Sequence, residues 1–341
     1  MKSTNSNTQT EKKKFQLFQH PWLSLLAVMA ASIFSIFLTG MLSYGLLGLS
    51  GNSPAVQFAQ AMSYHLLTVF ILVPFILHLP RGKRTFRQYL DDIGLTRMHP
   101  FFRLALLGLS CYIILALSQV AASVIYRFSE GLPLNGGFIR QVLDFSKDLP
   151  PVSPSLLISF PSIFEEVVFR GIVLTVFLST YSERKSILFS SAAFGLMHTL
   201  NLTNGADLVW TMGMVVWAFF MGLFYGYVFV RTRSLLPPMI VHYLGNAFIS
   251  TFVGYLQGRA SIEVQALYGV ILSLGIVPVT LMILWTRYFT SRWLPGSDAR
   301  RLQAVEEAAL RPSSSTLPAG GRSSPQCSLK LSSGSERKVE P

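Results

Sequence analysis

Hydrophobic residues in this chain fall in long, nearly unbroken runs separated by short polar segments. They do not alternate with the short periods of half-buried soluble elements. A helix needs about 20 mostly apolar residues to cross a bilayer. Eight stretches have this character: Trp22–Leu49, Ala59–Leu79, Phe101–Tyr126, Ser155–Tyr181, Ser186–Leu200, Leu208–Val230, Leu235–Leu256 and Val264–Phe289. The fifth is short, at about 15 residues, and is kept as a span because of its neighbours. The first is too long for a signal-peptide core and is read as an anchor. The pattern predicts an all-α, polytopic membrane helix bundle of about eight transmembrane helices.

Charge gives an independent check on this layout. Lys and Arg concentrate on the cytoplasmic side of membrane proteins. With the N-terminus inside, the arm and the even-numbered loops hold Lys2, Lys12–Lys14, six residues from Arg81 to Arg103, Arg184, Lys185, Arg231 and Arg233. Arg287, Arg292, Arg300 and Arg301 follow the last span. The opposite loops hold only Arg127, Arg140, Lys147 and Arg259. This asymmetry predicts that both termini are cytoplasmic.

Composition narrows the class further. The chain is 51% hydrophobic and 13% charged, against about 25% charged in an average soluble domain. A disordered chain, a coiled coil and an ordinary soluble enzyme are excluded. Two cysteines exclude a disulfide scaffold. The net charge of +12 follows mainly from topology and secondarily from attraction to anionic membrane lipid. The basic residues are scattered through short loops, so nucleic acid is not an expected partner. Residues 1–21 read as a basic cytoplasmic arm, 22–290 as the transmembrane domain, and 291–341 as a disordered cytoplasmic tail rich in Ser, Gly and Pro. A short helix is expected near Arg300–Leu310. Cys327 lies in the tail and is not placed as a C-terminal lipidation signal.

Ionisable residues inside a span cost roughly 2.5–3.5 kcal/mol each and are functional candidates. Of the sixteen Asp and Glu, only Glu165 and Glu166 fall well inside a span, the fourth. Arg170, in the same run, is the one basic residue buried there. Glu166 and Arg170 are spaced i,i+4 and can pair. Glu165 is rotated about 100° from Glu166 and has no partner on its own helix, which makes it the candidate general base. His198 lies deep in the fifth span. His242 and Asn246 lie one turn apart on the seventh. His20, His65, His78 and His99 fall in loops or near span ends and read as interfacial. Pro161, one turn before Glu165, should kink or open the fourth helix. Gly222 and Gly226 suit close packing of the sixth, and Pro237 and Pro238 suit the first turn of the seventh.

Glu165-Glu166-x-x-x-Arg170, then Phe194-x-x-x-His198, then His242-x-x-x-Asn246, each on its own hydrophobic span, resembles the CPBP family. This family comprises CAAX-processing and bacteriocin-processing intramembrane proteases, also called Abi proteins, and includes the type II CAAX prenyl endopeptidases. The resemblance covers roughly Ser155–Ser250. It implies peptide-bond hydrolysis in or near the membrane, on a peptide or a prenylated protein substrate. Glu165 would activate water, supported by Glu166 and Arg170. His198 would position that water, and His242 and Asn246 would stabilise the oxyanion. Glu165, His198 and His242 would also be the ligands if a zinc ion (Zn) were present, although no His-Glu-x-x-His run exists. The family is described both as metalloproteases and as metal-free glutamate proteases, so the cofactor is left open. In a prokaryote the expected membrane is the plasma membrane. The competing readings are a non-catalytic scaffold or immunity protein of the same family, and a transporter with a buried proton relay. The complete polar set favours the protease, and no paired broken helices in two halves suggest a transporter.

Overall fold

The computed structural model describes residues 20–46, 53–76, 85–131, 133, 135–137, 156–157, 159–248, 261, 264 and 275–294. Among them the chain is helical, with no strand. The expected basic arm up to residue 19, the tail after residue 294 and His78 lie outside the described residues.

Helix α1 (Pro21–Gly40) runs into a π-helical stretch, Met41–Leu46. Helix α2 (Pro54–Leu66) has Pro in its first turn, where the missing N–H costs nothing. Ser53 caps it by accepting from the Val56 N–H at 3.3 Å. It continues through π-helical Leu67–Leu72 into Val73–Ile76. Helix α3 (Phe86–Asp92) lies in the basic loop, where no element was expected. Helix α4 is Phe101–Ser129. Helix α5 starts as Ser162–Glu166, passes into π-helical Val167–Leu174 and ends as Thr175–Leu178. Helix α6 (Glu183–Met197) is followed by a 3-10 turn, His198–Asn204. Helices α7 (Leu208–Thr232), α8 (Leu236–Phe248) and α9 (Val277–Trp293) follow.

Among the described residues, four helical stretches are long and apolar enough to cross a membrane: Pro21–Gly45, Ala55–Ile76, Phe101–Ser129 and Leu208–Thr232. The other four expected spans correspond to the shorter described helices α5, α6, α8 and α9. The expected ends of the seventh span beyond Phe248 and the start of the eighth fall largely outside the described residues. The fourth span differs from expectation at its start. Pro161 stands at the N-terminal boundary of α5, so Glu165 lies in the first turn and not near mid-helix. Exposed apolar residues such as Phe37, Phe75, Leu117 and Leu284 cover the outer faces, as lipid-facing side chains do.

Inside, α6 and α7 are in close contact. A Cβ on Gly222 would lie 2.9 Å from Ser191 Cβ, and one on Gly226 would lie 3.1 Å from Ile187 Cγ2. Small residues at i and i+4 let the two backbones approach in this way. The π-helical stretches are tied to their neighbours by side chains. Ser190 Oγ donates to the Phe169 carbonyl of α5 at 2.8 Å. Tyr89 Oη, on α3, donates to the Val69 carbonyl in the π stretch that follows α2, at 3.0 Å. Thr68 Oγ1 donates to Ser35 Oγ at 2.8 Å, joining that stretch to α1. No water is at hand in a bilayer, so polar groups must find such partners within the protein.

Candidate active site

The two adjacent carboxylates point to different places, as a 100° step around a helix requires. Glu166 is fully buried between α5 and α8. Its Oε1 lies 3.2 Å from Arg170 Nη1, one turn along the helix, and accepts from His242 Nδ1 at 2.8 Å. The Arg170 contact is a charge pair without hydrogen-bond alignment, since Nη1 and Nη2 have no hydrogen-bond partner. The guanidinium instead lies over two aromatic faces, 4.2 Å from the Phe194 centroid and 5.0 Å from that of Tyr225. This cation–π enclosure holds a desolvated cation that Glu166 neutralises.

A carboxylate accepts, so His242 donates through Nδ1 and turns Nε2 toward Glu165 Oε2, 3.8 Å away. The ring is clamped on its face by Tyr225 at 5.2 Å and at its edge by Phe194 at 5.8 Å. Buried Glu166 thus fixes the orientation of His242, which faces Glu165.

Glu165 is on the open side. Its side chain retains about a third of its exposure. It opens onto a cavity of about 280 Å³ whose polar lining also includes His198, Tyr64, His65, Ser32 and Asn201. Met29 and Ile36 of α1 and Met197 of α6 supply apolar wall. His198 Nδ1 lies 3.0 Å from the Phe194 carbonyl. A carbonyl only accepts, so Nδ1 carries the proton and the neutral ring keeps a lone pair on Nε2. Phe194 also packs edge-on against His198 at 5.0 Å, so one residue orients both histidines and covers Arg170.

Five of the six expected site residues therefore gather around α5: Glu165, Glu166, Arg170, His198 and His242. Asn246 does not join them. It lies one turn beyond His242, is exposed, and is not part of the cavity wall. The wall from α2 was missed. His65, read as interfacial, is buried and stacked on Phe164 at 5.6 Å, beside Glu165. The signal was the Ser53-Pro54 pair, which starts α2 five residues before the expected span and moves His65 into its interior.

Glu165, His198 and His242 do not fit a zinc ion as they stand. Among the described residues no group of three or more His, Cys, Asp or Glu is gathered so as to hold a metal. Glu165 Oε2 lies 3.8 Å from His242 Nε2, and His198 shares the cavity lining with Glu165. No chemistry is assigned to a metal here.

The fold and this cluster define an integral membrane protein with a buried carboxylate–histidine site. Residues 150–248 match the family model described as type II CAAX prenyl endopeptidase Rce1-like. The match spans all three motifs and is to a family of intramembrane proteases, which supports the resemblance to the CPBP family. Neither the curated proteins nor the solved structures compared give a match.

Proposed function

We propose that the protein is an intramembrane endopeptidase of the CAAX prenyl protease type, in which Glu165 activates water against a peptide carbonyl. The observation that carries this reading is the division of labour between the two carboxylates. Buried Glu166 meets Arg170 and His242 through Oε1, whereas Glu165 opens onto a cavity that His198 also lines. A water between Glu165 and His198 would give one proton to each acceptor's lone pair, leaving an oxygen lone pair aimed into the cavity. Glu165 would then take the proton as water adds to the carbonyl and return it to the leaving amine. His242, fixed by Glu166, would face the Glu165 carboxylate from behind, with Nε2 3.8 Å from Oε2. The apolar wall from α1 and α6 suits a lipid-modified or hydrophobic peptide, and the expected membrane is the plasma membrane if the chain is prokaryotic.

The test is cleavage of a fluorogenic farnesylated CAAX peptide by the purified protein in detergent. Glu165→Gln keeps shape and removes the base, so kcat should fall about 10²–10⁴-fold. His198→Ala should also lose activity without loss of folding. Wild-type rates from Glu165→Gln would overturn the assignment. Parallel lanes with a chelator test the metal question directly.

A further inference from the structure

The turn after α6 brings a second polar side chain to the cavity that Glu165 and His198 line. In a 3-10 helix, with about three residues per turn, side chains at i and i+3 eclipse. His198 opens the 3-10 turn and Asn201 stands at i+3 from it, so the two project on the same side. Both belong to the cavity wall, and Asn201 carries the one carboxamide in that wall.

The turn is held together without this carboxamide. Gly205, left-handed at φ 80°, ends it. The Asn201 carbonyl accepts from the Ala206 N–H at 3.2 Å, and the Leu202 carbonyl accepts from the Gly205 N–H at 3.1 Å. Thr199 Oγ1 and Thr203 Oγ1 donate to the Leu196 and Leu200 carbonyls at 2.7 and 2.6 Å. The Asn201 side chain makes no hydrogen bond among the described residues. Its Nδ2–H donors and its Oδ1 acceptor are therefore available side by side.

A peptide cut in this cavity needs such a partner. In a helix each C=O is tied to an N–H one turn on, so the chain must be extended around the bond that is attacked. Its N–H and C=O groups then need partners away from water. In an extended strand the N–H and C=O of one residue point to the same edge, which is why a single opposing residue can pair with both. A carboxamide offers the same complement. Ser32 does not, because its hydroxyl proton goes to the Val28 carbonyl at 2.9 Å.

We propose that Asn201 is a substrate-binding residue whose carboxamide pairs with the N–H and C=O of one residue beside the scissile bond. It holds the peptide extended across Glu165 and His198. This rests on the endopeptidase reading and deepens it, because the site then recognises extended backbone as well as apolar side chains. Asn201 holds ground state and transition state alike, so it acts on affinity and not on the chemical step.

The test first measures affinity without turnover. A farnesylated CAAX peptide is titrated onto Glu165→Gln and onto Glu165→Gln combined with Asn201→Ala, which should bind about 10-fold more weakly. With Glu165 present, Asn201→Ala should raise KM by a similar factor and leave kcat within about 2-fold. Its melting temperature should match wild type, since no bond of the turn uses the carboxamide. Asn201→Asp keeps the shape and loses the donor, so it should also raise KM, and it decides the matter should Asn201→Ala melt early. The peptide is then remade with one backbone N–H replaced by an ester oxygen, moved residue by residue and never placed at the scissile bond. One position should lower wild-type kcat/KM about 10-fold and that of Asn201→Ala by no more than about 2-fold, because the partner is already gone. Equal ester losses in the two proteins at every position, or a fall in kcat at unchanged KM, with Glu165→Gln inactive, would overturn this inference alone. Wild-type cleavage by Glu165→Gln, or none by the wild-type protein, would overturn the endopeptidase reading and this inference with it.

Discussion

Glu166 accepts from one helix and neutralises a cation on its own, and both partners depend on it. Arg170 is buried and has no other acidic partner within salt-bridge distance among the described residues. Removing one member of a buried pair leaves an uncompensated charge and costs about 3–5 kcal/mol, whereas replacing both by apolar groups is often neutral. Glu166→Ala should therefore lower the melting temperature in detergent markedly, and Glu166→Leu with Arg170→Met should recover most of it. Neither protein should cleave well, because His242 loses the acceptor that orients it. A Glu166→Ala protein that melts with wild type would contradict the ion-pair account. This pairing was legible in the sequence, because i,i+4 spacing lies within one helix. The Glu166–His242 bond was not, because it joins residues whose separation in sequence says nothing about which helix faces which.

At the scale of the element, small boundary signals decide what reaches the site. The start of α2 at Pro54 brings His65 into the cavity wall, and Thr85 and Gln88 form a reciprocal capping box that starts α3. Both signals are present in the sequence, yet hydropathy alone passes over them because it sees only apolar length. The π-helical run after Glu166 has no comparable signature. It arises from packing, with Ser190 holding the Phe169 carbonyl. Close packing of α7 was foreseen from Gly222 and Gly226, though not that α6 would be the partner, and it makes a graded prediction. A methyl at Gly222 meets Ser191 Cβ at 2.9 Å and Cα at 3.0 Å, atoms that cannot move without their helix. A methyl at Gly226 meets an Ile187 side-chain carbon at 3.1 Å, which can shift slightly. Gly222→Ala should cost about 1–3 kcal/mol and Gly226→Ala less, read as melting temperatures of the purified proteins. Equal melting of the two variants would count against this packing as the source of the constraint.

For the whole molecule, the contacts between helix ends bear on how the chain sits in its membrane. Trp22 Nε1, at the start of α1, donates to Tyr181 Oη after the end of α5 at 3.0 Å. Arg103, in the first turn of α4, donates to the Trp293 carbonyl at the end of α9 at 3.0 Å. Gly94, between α3 and α4, lies against Phe229 and the Arg233 carbonyl at the end of α7. Each of these contacts joins two helix ends that border the basic segments. Positively charged loops stay in the cytoplasm during insertion, so these ends should face it. The prediction can be read by labelling in intact cells. In a background lacking Cys111 and Cys327, Ser182→Cys marks the α5–α6 junction and Thr203→Cys the turn after α6, both exposed positions. Ser182 makes no side-chain capping bond, so its replacement should disturb α6 little. A membrane-impermeant maleimide should label Thr203→Cys from outside, and Ser182→Cys only after the membrane is opened. The reverse pattern would invert the molecule and place the end of α6, where His198 meets the cavity, on the cytoplasmic side. The orientation therefore also determines which side of the membrane lies nearer the His198 end of the cavity.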